Sequence, residues 1–129
     1  MINPRYFSPP QTPKIFRLPH YDEVILNTNN GCKYWIGSNI GQGNFGKVYE
    51  CRDEWGNDLV AKVISPKNQS YQQVRERWFD EANKLLYLRH PNITYMYDAF
   101  EYSDTFYLII EFRTNKSWQV ILAKWQKAF

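Results

Sequence analysis

The chain has 129 residues, of which 43% are apolar and 18% aromatic, and its formal net charge is +3. This composition excludes a wholly disordered or collagen-like protein, and the length fits one small domain. The weak positive charge alone does not indicate a nucleic-acid surface. The two cysteines, Cys32 and Cys51, lie 19 residues apart and have no CxxC spacing. We therefore predict neither a disulfide framework nor a bound metal.

The N-terminal segment is rich in proline, with five of the seven prolines among the first 19 residues. Closely spaced prolines disfavour helices and compact packing, so we predict that residues 1–30 form an extended leader. They also interrupt the apolar run that a secretion signal would need. No stretch of the chain reaches 18 uninterrupted apolar residues, the length typical of a membrane span. We expect a cytoplasmic protein that binds no membrane.

Strand signals begin at residue 33. Apolar residues recur through residues 34–40 up to a glycine cluster, and Val48 and Tyr49 follow that cluster. A polar turn at residues 53–58 then leads into the apolar run 59–64, which is typical of a buried strand. Three consecutive strands joined in this way predict an antiparallel arrangement.

A long helix and a hairpin are predicted next. Apolar residues recur at helical spacing up to His90 and Pro91, at Val74, Trp78, Ala82, Leu85, Leu86 and Leu88. Two apolar runs, 93–100 and 105–112, then flank a polar turn and predict a hairpin. The order is therefore βββαββ. It predicts an α+β fold in which a five-stranded antiparallel sheet carries one long helix.

The C-terminal residues 114–129 form a further amphipathic pattern. Their large apolar side chains share one face of a predicted helix and are Trp118, Ile121, Leu122 and Trp125. Burying each such side chain stabilises a protein by about 1.5–3 kcal/mol. We therefore expect this stripe to bind a protein partner or a second copy of the chain.

The glycine cluster is a GxGxxG motif made of Gly41, Gln42, Gly43, Asn44, Phe45 and Gly46. Several unrelated folds use this motif. A dinucleotide-binding loop would open a helix after the third glycine, but strand-like residues follow here. A Walker A loop needs Ser or Thr after its lysine, whereas Val48 follows Lys47. A glycine hairpin over nucleotide phosphates and an ordinary glycine turn remain.

Lys62 lies in the predicted buried strand, 16 residues beyond Gly46. A buried ammonium needs an anionic partner, because an isolated charge in the protein interior is costly. Glu81, 19 residues further along in the predicted helix, can supply that carboxylate. Glu76 and Asp80 are competing candidates on the same helix.

The order of glycine hairpin, strand lysine and helix glutamate resembles the N-terminal ATP-binding lobe of protein kinases of the serine/threonine type. The resemblance covers residues 33–113, within a lobe that we place at residues 31–113. It implies that ATP is the cofactor, that Lys62 contacts its α- and β-phosphates, and that Glu81 holds Lys62 in place. In that family the six residues of the glycine motif cover the phosphates.

The resemblance also implies an adenine site. Ile110 would be the gatekeeper, and the backbone carbonyl of Glu111 and N–H of Arg113 would bond the adenine edge. The ring would lie between apolar side chains, namely Ile40, Val48 and Val60. Val60 stands where the family usually has alanine, and its two extra methyl groups are expected to weaken ATP binding.

The sequence departs from the family pattern after Arg113, where no H-R-D, D-F-G or A-P-E motif follows. The residues that supply the catalytic base and bind magnesium in the family are therefore missing. We expect no phosphoryl transfer by this chain alone, and magnesium only through the nucleotide or a separate C-terminal lobe. The alternative function is a non-catalytic, kinase-like interaction module. A nucleic-acid binder is not favoured, because most aromatic residues occupy strand or helix positions.

Overall fold

The computed structural model describes residues 13–44, 46–87 and 93–112. Over these residues it contains six strands and one helix. They are β1 (Val24–Leu26), β2 (Lys33–Gly43), β3 (Gly46–Arg52), β4 (Asp58–Ile64), α1 (Tyr71–Tyr87), β5 (Ile93–Tyr102) and β6 (Thr105–Phe112). All strand pairs are antiparallel, and the sheet order is β1-β2-β3-β4-β6-β5. The predicted α+β class and the single long helix are thus confirmed for the described part of the chain.

The predicted number of five strands is wrong, because β1 adds a sixth strand at one edge of the sheet. β1 pairs with β2, placing Ile25 opposite Tyr34, and the Ile25 side chain is fully buried. A strand of three residues is too short to show an alternating pattern, and it forms because β2 offers a partner. β1 lies in the range 1–30 that we predicted as a leader. The boundary at residue 30 stays a prediction.

β4 lies at the centre of the core and is buried on both faces from Leu59 to Ile64. Alternate side chains of a strand point to opposite faces. The first face, which α1 covers, contributes Val48, Val60, Ile64, Phe106, Leu108 and Ile110 to one apolar cluster, and α1 contributes Val74 and Ala82. The second face contains Ile25, Tyr34, Ile36, Tyr49, Cys51, Leu59, Ala61, Val63, Phe100, Tyr107 and Ile109.

Residues 13–22 lie against the second face. Phe16 and Leu18 pack on its apolar cluster. The backbone of Arg17 bonds the Thr105 side chain twice: the Arg17 N–H donates to Oγ1 at 3.2 Å, and the hydroxyl donates to the Arg17 carbonyl at 2.8 Å. The Arg17 guanidinium also pairs with the Glu23 carboxylate, which helps to keep the pKa of Glu23 below its ordinary value. These contacts hold the segment to the start of β6.

Helix α1 begins with a capping box. The Ser70 hydroxyl accepts from the Gln73 N–H at 3.2 Å, and the Gln73 side chain accepts from the Ser70 N–H at 2.9 Å. Val74, Trp78 and Ala82 follow at helical spacing and pack on the first face of the sheet. Within the described residues, no helix is long and apolar enough to cross a membrane.

The turn between β3 and β4 is organised by the buried Asp53 carboxylate. It accepts hydrogen bonds from the Trp55 N–H at 3.0 Å, the Asn57 N–H at 2.9 Å and the Tyr97 hydroxyl at 2.7 Å. Burial opposes ionisation of this carboxylate. These hydrogen bonds, with one from the Asn57 side chain, outweigh burial and hold the pKa of Asp53 below its ordinary value of 3.8.

Replacing Asp53 with alanine is expected to lower the free energy of unfolding by about 1–3 kcal/mol at neutral pH, because several hydrogen-bond donors of the turn lose their acceptor. A depressed carboxylate pKa stabilises the fold above 3.8, and this contribution is lost as the pH falls through the lower folded value. Urea unfolding at neutral pH and well below pH 3.8 measures both effects. Asp58→Ala, at an exposed carboxylate paired with Arg52, is the control and should change little. Equal losses for both variants would contradict the role of Asp53.

Several predictions fall outside the described residues. The helix stop at His90 and Pro91 is one of them, as are Phe45 of the glycine motif and Arg113 of the proposed adenine site. The C-terminal helix at 114–129, with its apolar stripe, is another. These remain predictions from the sequence.

Candidate functional site

The glycine motif is the tip of the hairpin between β2 and β3. The two strands stay paired to its end, with Gly41 opposite Val48 and Gly43 opposite Gly46. Gln42 is also part of β2, and Asn44 lies in the turn. Because a strand and not a helix follows Gly46, the dinucleotide-loop and Walker A alternatives do not fit the geometry.

Gly46 is required by its backbone surroundings. Its φ is +145°, and a Cβ at this position would lie 2.0 Å from the Val63 carbonyl oxygen and 2.8 Å from the Ser65 nitrogen. No side chain fits between the hairpin and β4 at such distances. The third glycine of the motif therefore allows the close approach of two strands, whatever lies on the other side of the hairpin.

The Lys62 and Glu81 side chains meet between β4 and α1. The Lys62 Nζ lies 2.7 Å from the Glu81 Oε2, and the two side chains are 3% and 15% exposed. Glu76 and Asp80 lie on the exposed side of the same helix. Of the three carboxylates considered from the sequence, Glu81 is thus the one that contacts Lys62.

Burial has the largest effect on the pKa of Lys62 in this pair. Burial lowers the pKa of the Lys62 ammonium below its ordinary value of 10.5, and the nearby charge of Glu81 opposes that shift. Two other cations of α1, Arg77 and Lys84, add to the lowering. Glu81 therefore helps to keep a deeply buried amine positively charged.

The side chains proposed to surround adenine lie on the same sheet face as Lys62. Val60 is opposite Ile110 across β4 and β6, and Val48 is opposite Lys62 across β3 and β4. Val48, Val60 and Ile110 are fully buried in one apolar cluster, and the partly buried Ile40 packs against it. Glu111 follows Ile110 in β6. The structure thus brings these residues together, and their contact with a purine stays a prediction.

Further contacts of α1 with the sheet were not predicted from the sequence. The Arg77 Nη1 donates to the Ser65 carbonyl at 3.0 Å, and the Trp78 Nε1 donates to the Tyr107 carbonyl at 3.0 Å. Trp78 was predicted only as part of the apolar stripe. Its place on that stripe and the position of Arg77, four residues before Glu81, are the sequence signals that place both side chains near the sheet.

Comparison with protein families gives a match over most of the chain. Residues 34–128 match the model of the family described as "Protein kinase domain". Among curated relatives, the serine/threonine-protein kinase PLK2 of Mus musculus is 28% identical over 105 residues, covering 81% of this chain. The serine/threonine-protein kinase Aurora-1 of Arabidopsis thaliana is 38% identical over 78 residues, covering 60% of this chain. The chain spans only 15% and 26% of the lengths of these two relatives.

Solved structures agree with this match in fold. The crystal structure of the PknI kinase domain of M. tuberculosis superposes with a TM-score of 0.53 at 19% sequence identity. The superposition covers 73% of this chain and 36% of that one. The chain belongs to the protein kinase family and contains a fragment of the kinase domain.

Proposed function

We propose that this chain binds ATP as the N-terminal lobe of a serine/threonine-type protein kinase. Phosphoryl transfer from ATP to a protein would then require a C-terminal lobe. The observation that carries the proposal is the Lys62–Glu81 ion pair, which lies beside the glycine hairpin through the pairing of Lys62 with Val48. A buried ammonium in this position fits a nucleotide phosphate chain in both charge and location.

The chemistry of the proposed site is electrostatic. A triphosphate carries several negative charges, and a positive charge in a poorly solvated site attracts it more strongly than one in water. Glu81 would hold the Lys62 ammonium in one orientation and favour its charged form. The backbone N–H groups of the glycine hairpin would approach the phosphates from above, as in the family.

The proposed adenine contacts are apolar. Val48, Val60 and Ile110 belong to one apolar cluster, and Ile40 packs against it. Such an apolar surface suits a flat aromatic ring. The backbone carbonyl of Glu111 would accept a hydrogen bond from the adenine edge. Protein kinases use Mg²⁺ with ATP, but the described residues contain no group of three or more His, Cys, Asp or Glu placed to hold a metal. Magnesium would enter with the nucleotide or be bound by a separate C-terminal lobe.

Titration with a non-hydrolysable ATP analogue, read as a thermal shift, tests the proposal. Ligand at 100 times its Kd should stabilise the fold by about 2.7 kcal/mol, with or without magnesium. Lys62→Met should remove most of this stabilisation. Lys33→Met makes the same charge change at the exposed start of β2 and should retain it. Absence of any shift, or an equal shift for Lys62→Met, would refute nucleotide binding through Lys62.

The alternative function, a non-catalytic kinase-like interaction module, is favoured by one observation. Val60 is fully buried and faces Ile110, so its methyl groups narrow the space proposed for adenine. Such a module would bind a protein partner through this fold and would not need a nucleotide. It predicts that Lys62→Met leaves partner binding unchanged, whereas the ATP-binding lobe predicts that nucleotide-dependent function is lost.

A further inference from the structure

Arg77 joins α1 to the end of β4, one helical turn before Glu81. Residues four apart lie on the same helix face, so Arg77 and Glu81 both face the strand that carries Lys62. The Arg77 Nη1 donates to the Ser65 carbonyl at 3.0 Å and also to the Gln69 side-chain amide oxygen. Ser65 follows the last residue of β4 and comes three residues after Lys62. The same two elements are thus linked at two successive points.

The bond from Arg77 to Ser65 affects the geometry of the Lys62–Glu81 ion pair. Lys62 and Glu81 are long side chains, and their contact at 2.7 Å requires the helix to keep its position along the strand. Helices at subunit interfaces shift by about 1–2 Å in conformational transitions, so a helix can move along its neighbours by this amount. A guanidinium bonded to a backbone carbonyl is a charge-assisted hydrogen bond, which is stronger than a neutral one. It fixes the helix to a backbone atom that cannot rotate away.

We propose that Arg77 is a positioning residue that keeps Glu81 in contact with Lys62. Its consequence for nucleotide binding rests on the function proposed above. The consequence of Arg77 for the ion pair does not rest on that function, because all three side chains belong to the chain itself. The two consequences can therefore be tested separately.

Because of the charges around Lys62, the direction in which its pKa changes when Arg77 is removed distinguishes two roles of Arg77. Burial lowers the pKa of Lys62, Glu81 raises it, and both Arg77 and Lys84 lower it. If Arg77 acts only as a nearby charge, removing it should raise the pKa of Lys62. If Arg77 holds Glu81 in place, removing it should release the carboxylate, and the pKa of Lys62 should fall.

The test is an NMR titration of ¹³Cε-labelled lysines without nucleotide, in which the Lys62 signal is the one missing from Lys62→Met. Glu81→Gln sets the fall expected when the carboxylate is lost. Arg77→Met should shift the Lys62 midpoint in that same direction. Lys84→Met, which removes an exposed positive charge from the same helix, is the matched control and should shift it upward. An upward shift or no shift for Arg77→Met would overturn the proposal.

A second variant covers the case in which Arg77→Met does not fold. Arg77→Lys keeps the positive charge but has a single ammonium in place of the guanidinium fork that bonds Ser65 and Gln69. Because the charge is unchanged, a lower Lys62 midpoint in this variant reports position alone and supports the proposal. An unchanged midpoint would overturn it.

Nucleotide affinity provides the functional readout. Arg77→Met is expected to weaken binding of the ATP analogue by about 2-fold to 30-fold, the range by which residues lying between two sites change the coupling of those sites. Lys62→Met should weaken it more. If the unsubstituted chain binds no nucleotide, the proposed function fails while the titration still decides the role of Arg77. If Arg77→Met lowers the Lys62 midpoint but binds nucleotide as tightly as the unsubstituted chain, its link to function is refuted.

Discussion

Replacing Glu81 with glutamine is expected to lower the free energy of unfolding by about 3–5 kcal/mol, because it deprives a buried ammonium of its counter-ion. Lys62→Met should cost less. Methionine keeps an apolar chain of similar length, and Glu81 is 15% exposed against 3% for Lys62, so the carboxylate reaches water more easily. Urea unfolding of both variants at neutral pH measures this order. A larger loss for Lys62→Met would contradict it.

The pH dependence of the Glu81→Gln loss provides a second check. The pKa of Lys62 in the folded protein lies below its ordinary value of 10.5, so the unfolded chain binds the proton more tightly. The fold therefore becomes more stable as the pH rises from the folded pKa towards 10.5. Glu81→Gln should lower the folded pKa further. Its cost should be full below that lower pKa and shrink as the pH rises to the folded pKa of the unsubstituted protein, above which the Lys62 amine is neutral in both folded proteins.

The double variant Lys62→Met/Glu81→Leu tests whether the pair exists for stability. Replacing both members of a buried ion pair by apolar residues is often neutral or stabilising, by about 1–4 kcal/mol. We expect the double variant to be more stable than Glu81→Gln. If apolar residues serve the fold as well as the ion pair does, stability does not explain why the chain has the pair. A role in binding would then explain it. A double variant less stable than Glu81→Gln would assign the pair to the fold.

Gly46→Ala is expected to destabilise the fold by about 3 kcal/mol or more, because the new Cβ would meet backbone atoms that cannot rotate away. The nearest is the Val63 oxygen at 2.0 Å. Gly56→Ala is the matched control. Gly56 also has a positive φ, +77°, but a Cβ added there would have nothing within 4 Å. Its cost should be the backbone term of about 1–2 kcal/mol.

Thermal unfolding of the two glycine variants, with circular dichroism to follow the sheet, separates these costs. The difference between them measures the clash at position 46 without the shared penalty of a positive φ. Nearly equal losses would show that the hairpin moves away from β4 at little cost. In that event the requirement for glycine at position 46, inferred from its close approach to β4, would be incorrect.

The parts of the fold that the sequence predicted are those with a local pattern. β4 is an almost continuous run of apolar residues, and the apolar residues of α1 repeat at helical spacing. Both elements could therefore be predicted without knowing which part of the fold they pack against. The contact of Lys62 with Glu81 could also be predicted, because a lysine inside an apolar strand requires a carboxylate. Glu76 and Asp80 were alternatives on the same helix, and the family resemblance favoured Glu81. The rotation of α1 places Glu81 in contact with Lys62.

The parts that the sequence did not predict depend on distant contacts. β1 has three residues and is defined by its pairing with β2. Phe16 and Leu18 stand between prolines and charged residues, where nothing local indicates that they cover an apolar face. The bond from Arg77 to the Ser65 carbonyl uses a backbone atom that every residue type offers. No side-chain pattern marks such an acceptor.

The packing of residues 13–22 against the second face of the sheet affects how the chain can be shortened. The family match begins at residue 34, whereas β1, Phe16 and Leu18 all precede it. A fragment cut at that boundary would leave the edge of β2 open and uncover aromatic rings such as Tyr107. Open strand edges beside apolar patches promote aggregation. Recombinant fragments that begin at or before Pro13 should therefore remain in solution where those trimmed to residue 34 precipitate.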